Sequence, residues 1–208
     1  MSIIKLNNNG VKNATAFGSG VTSLGSMVFI KKLTASGSGT LSFVDGASGV
    51  VLDNTYKEYV FTFKDIHPQA SDEANFSFQG NAAGGSGYNE TITSTYFTAQ
   101  HNEADSAAAL AYVTGQDQAN GTAFQPLAHS VGGGNDECLG GYLHLFNPSS
   151  TTFVKHFISR ISAYNADDGE MDAYVAGYFN TTSAIDEIQF KFHTNNIQSG
   201  DVCLYGIA

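Results

Sequence analysis

Three observations predict that this sequence folds as an all-β protein, an antiparallel β-sandwich of the jelly-roll type. Apolar residues recur in short runs that alternate with polar residues, as they do in strands with one buried face. About ten such runs are separated by Gly, Asn, Asp and Pro, the residues that favour turns. Helical patterns are nearly absent, and many short strands with few helices are typical of sandwiches and jelly rolls.

The strands can be followed in order along the chain. The clearest is Tyr56–Ile66, in which Tyr59, Phe61 and Phe63 alternate with other residues until Pro68, which cannot donate to a central ladder. Its neighbours are bounded in the same way by Gly-rich, Asp-Gly or Asn-rich turns. The remaining predicted strands are Ser26–Leu33, Thr40–Gly46, Asn75–Gly80, Thr91–Gln100, Gly141–Phe146, Phe153–Tyr164, Met171–Phe179, Ile185–Thr194 and Asp201–Ala208.

The chain ends on apolar residues, in the stretch SGDVCLYGIA. Terminal residues of most domains are polar and frayed. Val202, Leu204 and Ile207 therefore predict that the last strand lies inside a sheet and is paired on both sides.

Two segments differ from this strand pattern. Residues 1–25 are rich in Gly, Ser and Asn and predict an N-terminal arm, which either adds a strand to its own sheet or packs on another subunit. Residues 26–208 then form the jelly-roll domain, with a long internal loop over about 102–137. Within that loop Asn102–Gln116 is rich in Ala, the best helix former, and is a candidate for one or two helical turns.

Composition excludes several classes of partner. The net charge is −10 and Arg160 is the single arginine, which argues against binding to nucleic acid or to an anionic membrane surface. No apolar run reaches the length of a membrane span, and the N-terminus lacks the pattern of a signal peptide, so we expect synthesis in a reducing cytoplasm. Two cysteines, Cys138 and Cys203, are too few for a disulfide framework, and we expect reduced thiols.

No motif indicates an enzyme or a cofactor. The chain has no G-x-S-x-G, P-loop or dinucleotide fingerprint, and the acidic pair before Cys138 is expected to raise the pKa of that thiol. His144 and His156 lie on neighbouring strands. If the hairpin is symmetric about Asn147–Thr152, His144 faces Lys155 and the two imidazoles lie on opposite faces.

One acidic cluster is a candidate calcium site. Four carboxylates fall within six residues, and carboxylate oxygens are the ligands that Ca²⁺ prefers. An acidic turn between two strands explains the same residues. The four are Asp167, Asp168, Glu170 and Asp172.

Two neighbouring strands carry large apolar side chains on both faces, whereas a sandwich strand needs them on its inner face only. In one, Tyr142 and Phe146 alternate with Leu143 and Leu145; in the next, Phe153 and Phe157 alternate with Val154 and Ile158. A second cover is expected, either the 102–137 loop or another subunit. The candidate interface residues are Tyr142, Phe146, Phe153 and Phe157, with Ile3, Ile4 and Phe17 from the arm.

The motifs YKEYVFTFKDIHP, FSFQGNAAGGSGYN and SGDVCLYGIA, taken together, resemble a family of tailed-phage virion proteins with a jelly-roll domain, of the marine phage type. The residues that carry the resemblance are Tyr56, Tyr59, Phe61, Phe63, Ile66, Pro68, Gly84, Gly85, Tyr88, Gly200, Leu204, Tyr205, Gly206 and Ile207. The resemblance spans roughly residues 40–208, apart from Asn102–Glu137.

The resemblance implies a non-enzymatic building block of a virion, made in the cytoplasm of a bacterial host. The first hypothesis is a capsid decoration (cement) protein that binds the major capsid protein as a homotrimer. The alternative is a tail-fibre or adhesin module that binds a host surface glycan through tyrosines at loop tips. A third hypothesis, a hydrolase, requires two facing carboxylates in a deep cleft.

Overall fold

The computed structural model describes residues 26–69 and 74–208, and it is all-β. Twelve strands follow one another along the chain, and within the described ranges there is no helix. They are β1 (Met27–Thr34), β2 (Leu41–Val44), β3 (Glu58–Pro68), β4 (Ala74–Ala82), β5 (Ile92–Asn102), β6 (Ala108–Tyr112), β7 (Gln125–Val131), β8 (Leu139–Phe146), β9 (Lys155–Asn165), β10 (Gly169–Phe179), β11 (Ile185–Phe192) and β12 (Ile197–Ile207).

The strands form two antiparallel sheets. The large sheet has the order β1-β12-β3-β8-β9-β10-β5-β6, and the small sheet has the order β2-β11-β4-β7. One pair, Val131 with Asn165, joins β7 to β9 and links the sheets at one end. The predicted all-β sandwich is therefore confirmed, while the proposed arm lies outside the described residues.

The connectivity is that of a jelly roll with two insertions. If the hairpins β5–β6 and β9–β10 are set aside, the other eight strands are ordered 1-8-3-6 in one sheet and 2-7-4-5 in the other, which is the double Greek key of a jelly roll. Both inserted hairpins extend the large sheet: β9, β10 and β5 still pack on β4 and β7 through Phe157, Phe179 and Tyr96, whereas β6 is exposed on both faces. The two hairpins add four strands, β9, β10, β5 and β6, to its far side.

Aromatic side chains fill the space between the sheets. Phe190 of β11 lies at the centre, with its ring centroid 5.2 Å from those of both Phe61 and Phe63 and 5.9 Å from that of Phe76. Each of these rings is buried. Phe61 and Phe63 meet Phe190 edge to face and Phe76 stacks on it, and such contacts add to the free energy gained from burying the aromatic surface.

The last strand is an interior strand, as its apolar residues predict. β12 pairs with β1 on one side and with β3 on the other, and Val202 and Leu204 are buried. Gly200 interrupts the pairing with φ +117, and a Cβ there would lie 2.5 Å from the Asp65 carbonyl oxygen. Only glycine fits that irregularity without strain.

The Ala-rich segment is a strand and not a helix. Asn102 reverses the chain: its Oδ1 accepts hydrogen bonds from the backbone N–H groups of Ser106 and Ala107, both at 3.0 Å. Ala108–Tyr112 then pairs with the end of β5. Helix propensity is a weak preference, and the sheet edge overrides it here. The segment expected to be a long loop, 102–137, thus contains β6 and β7.

Candidate functional site: the outer face of the large sheet

The large sheet has one face on the core and one face, the outer face, that no described residue covers. Strand alternation sets the outer residues, and the register aligns them in rows that cross the sheet. One row joins Phe29, Tyr205, Val60, His144, Ile158 and Ala176. A second joins Tyr142, Arg160, Tyr174, Phe97 and Tyr112.

Large apolar side chains on the outer face are unusually exposed. Seven of them keep between 39 and 77% of their surface accessible: Met27, Phe29, Phe97, Leu110, Tyr112, Tyr142 and Ile158. At roughly 200 Å² for a large side chain, they expose on the order of 700 Å². These side chains are spread across the sheet from β1 to β6, and one side of a standard protein interface is about 800 Å².

A groove opens in the outer face where β8, β9, β10 and β5 meet. It has a volume of about 450 Å³ and a mostly apolar lining that includes Phe146, His156, Ile158, Ala176 and Tyr178. Ala176 is the small side chain among larger ones, and His156 lies edge-on to Tyr178 at 5.6 Å. The groove is thus an apolar depression in the outer face.

Beside the groove, His144 and Phe146 form a stacked pair. Their ring centroids are 4.2 Å apart, and His144 Nε2 lies 3.0 Å from Glu58 Oε2. That nitrogen is buried and has no hydrogen-bond partner, so the contact with Glu58 is a close approach and not a hydrogen bond.

The second row is a ladder of stacked side chains. The rings of Phe97 and Tyr174 are parallel, with centroids 4.8 Å apart, and the Arg160 guanidinium lies 5.0 Å from the Tyr174 ring centroid. Arg160 also binds both carboxylate oxygens of Asp172, with Nη2–Oδ2 at 2.7 Å. This hydrogen bonding holds the pKa of Asp172 below its ordinary value.

Two ion pairs lie on the outer face. Arg160 pairs with Asp172, and Lys32 pairs with Asp201 at 3.2 Å. The Asp201 carboxylate also accepts a hydrogen bond from Thr34 Oγ1, and this bond is the first cause of its lowered pKa. A face with paired charges loses less free energy on desolvation than a face with isolated charges.

The structure separates the residues predicted to form an interface. Tyr142 and Phe146 lie on the outer face, and Phe153, 68% exposed, lies in the loop before β9. Phe157 is 1% exposed and packs in the core against Phe78, so it is Ile158 that β9 presents to solvent. Ile3, Ile4 and Phe17 lie outside the described residues. The 102–137 segment does not cover Tyr142.

Sequence reasoning missed the far members of the outer face. Phe29, Phe97, Leu110 and Tyr112 are exposed on β1, β5 and β6. The signal available for Phe29 and Phe97 was the same as for β8, apolar residues on both faces of a strand. Nothing in the sequence indicated that β6 would be a strand.

The two strand histidines lie on the same face, contrary to the prediction. β9 begins at Lys155, and the register pairs His144 with Ile158 and Leu145 with Phe157. The predicted pairing was displaced by three residues, and an odd displacement exchanges the faces. Within the described ranges, no group of three or more His, Cys, Asp or Glu residues is arranged to hold a metal ion.

The acidic cluster is divided between a turn and a sheet surface. Asp167 and Asp168 lie in the turn between β9 and β10, where Asp168 has φ +52. Glu170 accepts a hydrogen bond from Ser162 at 2.8 Å, and Asp172 is engaged with Arg160. Two of the four carboxylates thus lie in an acidic turn, and the other two lie on β10.

Other titratable groups serve the fold. Cys138 and Cys203 are free thiols, and burial, with Asp65 second, raises the pKa of Cys138, in the predicted direction but from a different carboxylate. Lys155 is fully buried, and its Nζ donates to the Thr181 carbonyl at 3.0 Å while burial lowers its pKa. Tyr88, in the predicted loop tip, is half-buried and donates to Glu187.

The comparisons with known proteins do not add to this description. No protein-family model, no curated protein and no solved structure matches the chain. Within the residues that the structure describes, no helix is long and apolar enough to cross a membrane.

Proposed function

We propose that this chain is a non-enzymatic structural protein of a tailed-phage particle, a capsid decoration protein that acts as a homotrimer and binds the major capsid protein. The outer face of the large sheet is its main contact surface. The proposal draws its biological setting from the motif resemblance and its physical basis from the outer face.

The observation that carries the proposal is the exposed apolar area of the outer face. About 700 Å² of exposed apolar side chain, spread over the outer face from β1 to β6, is comparable to the roughly 800 Å² that one partner contributes to a standard interface. The paired charges and the groove are what a buried contact requires. The decoration role accounts for all three features.

The N-terminal arm is assigned the role of anchor on the capsid. Residues 1–25 contain Lys5 and Lys12 and no acidic residue, so they carry +2 while the remaining residues carry −12, which together give the net −10. Ile3, Ile4 and Phe17 are its candidate contacts. Decoration proteins present in many copies gain avidity even when each contact is weak.

The proposal is tested by sedimentation of the native protein from its source lysate. A virion protein travels with megadalton particles, whereas a monomer of 22.0 kDa at the top of the gradient would overturn the proposal. Purified protein is expected near 66 kDa, three times 22.0 kDa.

The contact surface is tested by adding variants back to particles that lack the protein. Ile158→Glu places a charge in the lining of the groove and is expected to reduce particle binding at least tenfold, with a loss of stability of about 1 kcal/mol because the side chain is half-buried in a central strand. Ala47→Glu adds the same charge in an exposed turn of the small sheet and serves as control. Equal binding by both variants would remove the outer face from the proposal.

A narrower observation favours the adhesin alternative. Tyr112 and Tyr142 leave about half of their surface in solvent, and exposed aromatic rings are what sugar-binding sites place against a pyranose. A purified trimer that binds host glycans, and loses that binding on Tyr112→Ala, would favour this function over capsid decoration.

A further inference from the structure

The four edges of the two sheets are not equally protected against pairing with another strand. β1 carries Lys31 and Lys32 and a bulge, β2 has only four residues, and β7 contains Pro126. Lysines, bulges, prolines and short length are the means by which proteins block edge pairing. Among the strands in the described residues, β6 has none of these features except modest length.

β6 is exposed on both of its faces. Its sequence is AALAY, it has no charged residue, and all five residues are exposed. The strand extends past the small sheet, so its inner face is open as well as its outer face. A bare, uncharged edge strand is an association surface unless something covers it.

The hydrogen bonds to β5 show which backbone groups of β6 remain for a partner. Val113 N–H donates to the Tyr96 carbonyl, and Asn102 N–H donates to the Ala107 carbonyl. Because the direction of N–H and C=O alternates along a strand, Ala109 and Ala111 also face β5. Ala108, Leu110 and Tyr112 therefore direct their N–H and C=O groups toward the open edge.

We propose that β6 pairs edge to edge with β6 of a second copy of this chain. The two strands run antiparallel, and the twofold axis passes midway between the two copies of Leu110. This register places Leu110 opposite the partner subunit's Leu110 and Ala108 opposite the partner subunit's Tyr112. The N–H and C=O groups of Ala108, Leu110 and Tyr112 then pair with those of the same three residues in the second copy, which gives six backbone hydrogen bonds.

The side chains of β6 suit this register. The small Ala108 meets the large Tyr112 twice, and no like charges are opposed within the strand pair. The outer faces of the two copies lie on the same side of the combined sheet. The row that runs from Arg160 to Tyr112 therefore continues with the partner subunit's Ala108. A second copy of β6, running antiparallel, is therefore complementary to the β6 edge.

The contact is smaller than a standard interface, so the association of isolated protein is weak and depends on concentration. The net charge of −10 opposes it at low ionic strength, and salt screens that repulsion. Leu110 and Tyr112 also belong to the outer face, but the twofold contact uses the backbone edge of β6 and does not depend on the proposed trimer or capsid contacts.

Cysteine cross-linking tests the register. In a chain with Cys138→Ser and Cys203→Ser, Leu110→Cys is expected to form a disulfide-linked dimer under mild oxidation, because hydrogen-bonded antiparallel pairs have Cα atoms about 5.5 Å apart, within the disulfide range. Ala108→Cys alone is expected not to cross-link, since the two copies of residue 108 lie roughly 14 Å apart. A mixture of Ala108→Cys and Tyr112→Cys is expected to cross-link.

The controls separate this register from random collision. Thr182→Cys, in an exposed loop, gives the background rate. Cross-linking of Leu110→Cys at the background rate, or of Ala108→Cys as fast as Leu110→Cys, would overturn the proposal. If the double serine parent does not fold by near-UV circular dichroism, the same series is made in the native chain, with the unmodified protein as blank.

Discussion

Arg160 is the single arginine of the chain, and its side chain orders the centre of the outer face. Its guanidinium lies over Tyr174 and binds Asp172, whose Oδ2 also accepts a hydrogen bond from the Tyr174 hydroxyl at 3.0 Å. Two parallel N–H···O bonds fix geometry as well as charge. A lysine at this position could not reproduce both contacts.

This pair predicts a pH-dependent loss of stability. Asp172→Asn is expected to lower the free energy of unfolding at pH 7 by roughly 1 kcal/mol, near the surface-pair value because Arg160 is about half exposed. The pKa of Asp172 is lower in the folded state than its ordinary value of 3.8, so the wild-type carboxylate stabilises the fold above about pH 4. That contribution is lost as pH falls through the lowered folded-state pKa.

Urea unfolding of the variant and wild type from pH 7 to pH 3 measures the effect. The difference between them is expected to shrink as pH falls. Glu103→Gln, an exposed acid whose carboxylate is not paired with Arg160, is the control and should stay within about 0.5 kcal/mol. A difference that grew toward low pH would contradict the assignment.

At the residue scale, the sequence predicts which residues alternate along a strand better than it predicts which face of the strand is buried. The alternation of Tyr59, Phe61 and Phe63 identifies buried residues because the other positions in β3 are polar or small. In β9 both Phe157 and Ile158 are apolar, so the pattern cannot say which one is inside. The register that decides it depends on the geometry of the loop after Phe146, which composition does not encode.

β12 shows how one element depends on a neighbouring loop. Gly206, near the end of the strand, has the Tyr56 ring against the position that a Cβ would occupy. Tyr56 in turn lies edge-on to Tyr59, with centroids 5.8 Å apart, and the Tyr59 hydroxyl donates to the Asp53 carbonyl. The glycine allows the loop before β3 to close over the last strand.

A double-mutant cycle tests this contact. Gly206→Ala is expected to cost about 1–3 kcal/mol of unfolding free energy, because the added methyl displaces the ring of Tyr56. In a Tyr56→Ala background the same change is expected to cost at least about 1 kcal/mol less, since the collision is gone. Gly39→Ala, whose Cβ would meet its nearest atom at 3.6 Å, is the matched control. Additive costs in chemical denaturation would show that Tyr56 is not the cause.

At the element scale, β6 shows where sequence reasoning stops. Ala-rich Asn102–Gln116 has the local preference of a helix, yet the Asn102 turn returns the chain to β5 and the sheet edge supplies the hydrogen bonds. The decisive partner, β5, is local in sequence. The choice between helix and strand depends on a turn that the Asn102 side chain closes, and no periodic pattern in the sequence indicates that turn.

For the whole molecule, composition and turn spacing predict the sandwich, but strand order comes from contacts distant in sequence. β12 pairs with β1 over nearly the full length of the chain, and β11 pairs with β2. The apolar ending predicted an interior strand without saying which strands flank it. The outer face is a property of this order, because only the assembled sheet brings Phe29, Ile158 and Tyr174 onto one surface.

The described residues form one hydrophobic core cluster, from Ala35 to Leu204, and from it we predict that residues 26–208 fold without the arm. The strands β1 and β12 are joined where Ala208 N–H donates to the Ser26 carbonyl. A fragment of residues 26–208 is expected to match the full chain in urea midpoint, with a difference of less than about 0.5 kcal/mol.

The same fragment separates folding from anchoring. If the arm is the capsid anchor, the fragment is expected to fold fully and to lose most particle binding in the sedimentation assay. A full chain with Lys5→Gln and Lys12→Gln is the control for charge alone, because it removes both basic side chains of the arm and keeps its apolar residues. Undiminished binding by the folded fragment would remove the anchor role and leave the outer face as the contact surface, since Ile158→Glu tests that face independently.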